Sequence, residues 1–153
     1  MRSYYIPASA GLLLVASAFL PWMHVGDVPL GGVPDTAALW ISGLGGLAVL
    51  LAGLSIWTRK NSRHPLLLVG LAALAILFLG YQWMSRTVRD AAWAQAQASA
   101  IVNDVPAGAS PATAVGLGIY LGLAAAIVLV LFGLTIVVKR VPSAYAVPED
   151  DDI

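Results

Sequence analysis

Charge is what this chain lacks most. Only 10% of its 153 residues are Asp, Glu, Lys or Arg, while 59% are hydrophobic; soluble domains carry roughly 25% charged residues. Eight basic and eight acidic side chains are too few to solvate that much apolar surface on one domain. This excludes a soluble enzyme, a nucleic-acid-binding module and a disordered chain. The formal net charge is zero, so no long-range field points to a partner of one sign. Cysteine is absent altogether. Its absence removes disulfides, thiolate metal sites, iron–sulfur clusters and a cysteine nucleophile.

What is present is a set of long apolar stretches: Tyr5–Trp22, Ala37–Trp57, Pro65–Met84 and Ala112–Val138. Crossing a hydrocarbon core of about 30 Å takes roughly 20 apolar residues as a helix, and all four stretches come close. None contains Asp, Glu, Lys, Arg or His. In lipid every backbone amide must be satisfied within the chain, so the spans are expected to be helices. A β-barrel needs period-two alternation, which Leu66-Leu67-Leu68-Val69 contradicts. The expected fold is therefore all-α, an integral membrane four-helix bundle over residues 1–140.

Helix punctuation agrees with these spans. Asp35 is placed to cap the second. Pro65 after His64, and Pro111 after Ser110, place proline where a first turn needs no amide. Pro21 and Pro142 limit the first and last spans, and Pro7 is tolerated in a first turn. Ala16-Ser17-Ala18 has the form of a signal-cleavage site but lies inside the apolar run, so the first span is expected to be retained.

Orientation follows from the cations. With alternating spans, Arg2, Arg59, Lys60, Arg63, Lys139 and Arg140 fall on one side, and only Arg86 and Arg89 on the other. The positive-inside rule then places both termini in the cytoplasm. Trp22, Trp40, Trp57 and Trp83 sit at expected span ends, where indoles anchor at the headgroup layer.

The connections differ in kind. Met23–Pro34 is rich in Gly and Pro and is expected to be a chain of turns with little regular structure. The short Thr58–His64 connection makes the second and third spans an antiparallel hairpin. Residues 85–102 are alanine-rich with high helix propensity, so the third helix is expected to continue outside the bilayer to about Val102. Arg86 and Asp90 are spaced for a weak surface pair. On that extension Trp93, Ala96, Ala100 and Ile101 share one stripe, a candidate docking surface. Residues 141–153, with Pro142, Pro148 and Glu149–Asp152, are expected to form an acidic disordered cytoplasmic tail. Gly118, Gly122 and Ala126 on the fourth span, and Ser42 and Gly46 on the second, are candidate helix-packing positions.

Candidate chemistry is thin. His24 and His64 are expected at opposite ends of the spans, so they do not share a metal or a haem iron. His24, Asp27 and Asp35 share one loop, but a Gly/Pro turn chain offers no fixed ligand geometry. No metal site and no cofactor are expected. Ion-coupled carriers need ionisable groups within their spans, and none is there. The intramembrane polar residues Ser9, Ser17, Ser42, Ser55, Tyr120 and Thr135 can satisfy themselves on helix backbones or neighbouring helices. Nucleophile elbows, zinc-protease helices and phosphate loops are missing. No catalytic residues, and no enzyme activity, are expected.

The layout carries one resemblance. A first span ending Leu20-Pro21-Trp22 leads into a short Gly-rich loop and an Ala/Leu/Gly-rich second span. A basic turn (Arg59, Lys60, Arg63) and a long third-to-fourth connection follow. This resembles the small four-span proteins of unknown function common in actinobacteria, the Trp-associated membrane protein type among them. The resemblance implies a bacterial plasma (inner) membrane, multi-pass, and no particular activity. The expected function is a non-enzymatic accessory or assembly subunit of a larger membrane complex, with the lipid bilayer and a membrane-protein partner or a second copy as partners. The alternative is a lipid- or hydrophobic-ligand-binding membrane protein, part of a transport system.

Overall fold

The computed structural model describes residues 4–25, 28–58, 62–103 and 112–138. It is mostly helical. Four helices run α1 (Tyr5–Ala18), α2 (Thr36–Thr58), α3 (Arg63–Asn103) and α4 (Leu117–Val138). Between them lie three short strands, β1 (Met23–Val25), β2 (Val28–Leu30) and β3 (Thr113–Val115). Each helix packs on its chain neighbours and α4 packs back on α1, so the four close around one core. Arg2, Arg59, Lys60, Lys139, Arg140, Asp27, Ser110, Pro111 and the 141–153 tail lie outside the described residues.

The buried faces of α1 and α2 are made mostly of small residues, and many large apolar side chains face outward. On α1 the buried face is Pro7, Ala10, Gly11, Leu14, Ser17 and Ala18; on α2 it is Ala38, Ile41, Gly45, Ala48, Ala52 and Ser55. Leu12, Leu50, Leu68, Phe78 and Leu131 point outward. Water would reverse that choice, whereas in lipid the gain comes from close backbone approach and packing. Gly11 and Gly45 make the approach: a Cβ on either would come within 3 Å of the other's carbonyl oxygen, at 2.9 and 2.8 Å. At the end away from the strands, Phe132 joins three elements. The Tyr4 ring meets it edge-on at 5.3 Å, and the Arg63 guanidinium lies 5.6 Å from its centroid.

The spans need two corrections. Tyr5–Trp22 is not one helix, because α1 stops at Ala18 after 14 residues, about 21 Å, well short of a 30 Å core. Pro21 carries no amide to continue it. The other three helices are long and apolar enough to cross a bilayer. The fourth begins at Leu117, not Ala112, because Thr113–Val115 is drawn into a sheet. The second and third helices stand within two residues of expectation, and α3 runs unbroken to Asn103. Its 41 residues measure about 60 Å, twice the thickness of a hydrocarbon core.

Met23–Pro34 also departs from a chain of turns. β1 pairs antiparallel with β2 (His24 opposite Pro29) and with β3 (His24 opposite Ala114), in the order β2-β1-β3. Trp22 is what organises this cap. It was expected to anchor at the membrane surface, yet it is fully buried. Its indole Nε1–H donates to the Ser17 carbonyl at 3.1 Å, which also accepts from the Leu20 amide at the end of α1. Its backbone amide donates to Leu30, and its carbonyl accepts from Gly116. Gly118 donates to Pro21 and Val33 donates to Ala18, so sheet, α1 and α4 are tied together by main-chain bonds. Gly31 and Gly32 complete the closure at φ +80° and +86°. A Cβ on Gly31 would lie 2.9 Å from the Trp22 Cβ, and one on Gly32 would lie 2.8 Å from the Leu20 carbonyl oxygen. Backbone conformation and space both require glycine there.

Candidate functional site

Two surface features stand out at the sheet end. The first is a groove between α2 and α3, whose seam is the loosest of the four helix–helix contacts. Near the sheet this seam is lined by Ala37 on α2 and Gly80 on α3. The groove encloses about 490 Å³, within the roughly 300–1,000 Å³ of small-ligand sites. Ile76, Leu79 and Met84 line its apolar part, Trp40 and Trp83 also line it, and Asp35, Thr36 and Thr87 supply its polar groups. Both indoles are mostly exposed, at 64% for Trp40 and 79% for Trp83.

Thr87 also lines a second hollow of about 400 Å³, where α3 passes the β1–β2 hairpin; Val25, Leu30, Val88 and Ala92 are its apolar walls. Trp83 in turn borders a third hollow of about 430 Å³, with Leu79, Gln82 and Arg86. Thr87 and Trp83 thus connect three adjoining cavities along one helix. Ile76 to Thr87 rises about 16 Å along α3.

The second feature is the far end of α3. Past the hairpin it carries Trp93 at 58% exposure, Ile101 at 79% and Val102 at 82%. Ala96 and Ala100 lie on the same stripe and are half-buried. Of the expected docking residues, the two large ones, Trp93 and Ile101, are thus exposed.

The packing candidates divide. Gly118, Gly122 and Ala126 are buried within the chain. A Cβ on Gly118 would lie 2.6 Å from Trp22 Cδ1, and one on Gly122 would lie 3.0 Å from Ser17 Oγ. Gly46 has nothing within 4 Å of where its Cβ would be, and Ser42 beside it is half-buried. The α2 face around Gly46 is open.

The span hydroxyls mostly return to their own helix. Ser9 donates to Ile6, Ser17 to Leu14 and Thr135 to Phe132, at 2.7–2.9 Å. Ser55 is buried with no partner for its Oγ among the described residues. His24 on β1 and His64 in the first turn of α3 stand at opposite ends of the helices. No group of three or more metal-ligating side chains occurs among the described residues. Arg86 and Asp90 form no ion pair there.

Sequence reasoning missed the groove. Trp40 and Trp83 were visible as span-end indoles, and Asp35 as a cap. That they line one cavity depends on how α2 and α3 diverge, which no local pattern encodes.

No family model matches the chain, and neither a curated protein nor a solved structure is similar to it. Fold and surface together define a class, a helical protein of the membrane type. Three of its helices are long and apolar enough to span a bilayer, and its large apolar side chains face outward.

Proposed function

We propose that this is a non-enzymatic, multi-pass protein of a bacterial plasma (inner) membrane that acts as an accessory or assembly subunit of a larger membrane complex. The sheet faces outward, and the four-helix bundle serves as the anchor. The observation that carries the reading is the tip of α3, where Trp93 and Ile101 stay exposed on a helix that has risen past the hairpin. An alanine-rich helix in water is only marginally stable, and an apolar stripe at its tip gains stability by being covered. A tryptophan in such a stripe is the residue type that contributes most at protein interfaces.

The test is purification in mild detergent with mass spectrometry, in parallel for wild type and Trp93→Ala. The expected result is a stoichiometric co-purifying protein whose affinity falls about 30-fold in the variant, the equivalent of about 2 kcal/mol. Membrane insertion and thermal stability should be unchanged. Loss of stability alone would assign Trp93 to packing within the chain and defeat the reading.

A second reading, a lipid- or hydrophobic-ligand-binding protein, has its own support in the groove between α2 and α3. It is compatible with the first, because the groove and the α3 tip are separate surfaces.

A further inference from the structure

We propose that the α2–α3 groove binds one phospholipid with an ammonium-bearing headgroup, taken from the leaflet on the sheet side. The inference rests on the second reading above and assigns its ligand and residues. The apolar lining of Ile76, Leu79 and Met84 opens at the outer surface of two helices long and apolar enough to cross a bilayer, where lipid tails would lie. A groove left empty there forfeits the dispersion contacts of its lining, and a neighbouring acyl chain restores them without leaving the lipid phase. Depth agrees as well. The rise of about 16 Å from Ile76 to Thr87 is close to the roughly 15 Å of one hydrocarbon leaflet, half of a 30 Å core. A chain lying on Ile76 and Leu79 therefore brings its headgroup level with Asp35 and Thr87.

Charge selects the headgroup. Asp35 is exposed and shares the groove with Trp40 and Trp83. A carboxylate beside two indole rings favours an organic ammonium, through ionic and cation–π attraction together. On the other side of Trp83, Arg86 and Gln82 line the adjoining hollow, and a guanidinium is suited to a phosphate. Ammonium toward Asp35 and phosphate toward Arg86 is the charge order of a zwitterionic phospholipid. An anionic lipid without an amine could still turn its phosphate toward Arg86, but it would leave the Asp35 carboxylate without a cation.

The full chain is placed in nanodiscs of equal phosphatidylethanolamine and phosphatidylglycerol, released, and examined by native mass spectrometry. The expected result is one retained phosphatidylethanolamine per chain, favoured about tenfold over phosphatidylglycerol. Asp35→Asn brings the two lipids to near parity, and Arg86→Ala lowers retention of both. Ala37→Phe fills the seam and abolishes retention, whereas Leu131→Phe, on an outward face of α4, leaves it intact. Should Ala37→Phe fail to fold, the wild-type preference and the Asp35→Asn effect still decide the matter. Retention without headgroup preference overturns the ammonium assignment while leaving hydrophobic-ligand binding standing. No retained lipid, or a protein co-purifying in its place and lost in Ala37→Phe, overturns both.

Discussion

Replacing Trp22 by alanine is expected to be the most damaging single change among the five tryptophans. Trp22 is fully buried, and it packs where a Cβ on Gly31 or Gly118 would collide with it, at 2.9 and 2.6 Å. Gly80 is close too, with a Cβ there 3.2 Å from the indole. Truncating a core Trp to Ala costs about 3–5 kcal/mol in soluble proteins. Part of that cost is transfer to water, which shrinks when the unfolded reference remains in lipid or detergent, while the cavity and lost contacts remain. The lost bond from Nε1 to the Ser17 carbonyl adds about 1 kcal/mol. A loss of about 4 kcal/mol is therefore expected. Trp57, at 87% exposure, should change stability by less than about 0.5 kcal/mol as Trp57→Ala. Trp22→Phe keeps a ring but no donor, so it should fall between, at about 1–2 kcal/mol. The assay is reversible unfolding in mixed micelles with rising SDS, followed by far-UV circular dichroism. Equal losses for Trp22→Ala and Trp57→Ala would refute the reasoning, because they would place Trp22 at the surface with the other indoles.

The small-residue positions make a paired prediction. Gly118→Leu should destabilise by about 3 kcal/mol or more, since even a Cβ meets Trp22 Cδ1 at 2.6 Å. Gly46→Ala, with open space around it, should be neutral or stabilise by up to about 1 kcal/mol through helix propensity; the same unfolding titration reads both. Topology is tested with single cysteines at Asp27, Ser62 and Gln97 and a membrane-impermeant thiol reagent on intact cells, with no native cysteine to interfere. Asp27 and Gln97 should label and Ser62 should not, and the opposite pattern would invert the orientation.

Much of the fold was legible because lipid imposes a simple rule on sequence. Runs of about 20 apolar residues without charges lead to helices, so α2 and α3 could be bounded closely. The continuation of α3 beyond Met84 was legible in the propensity of its alanines, and the exposed Trp93–Ile101 stripe in its spacing. Proline marked the limit of α1 at Pro21, but the expected span still ran on to Trp22. Hydropathy cannot separate an indole resting on a membrane surface from one that plugs a core. The same blindness hid the sheet. β1 and β3 lie about 90 residues apart in sequence, and three-residue strands leave no periodicity to read.

By itself, then, the sequence determined the helical class, the apolar spans and the lack of charge within them, since each depends on local hydropathy and backbone hydrogen bonding. Tertiary structure decided which glycines touch, which tryptophan is buried and where a cavity opens. Gly45 lies against Gly11 while Gly46, one residue on, faces outward. That difference is a helix rotation of about 100°, and only the position of the neighbouring helix gives the rotation a meaning. The groove has the same origin: Trp40 and Trp83 share a cavity only because of how α2 and α3 are set against each other.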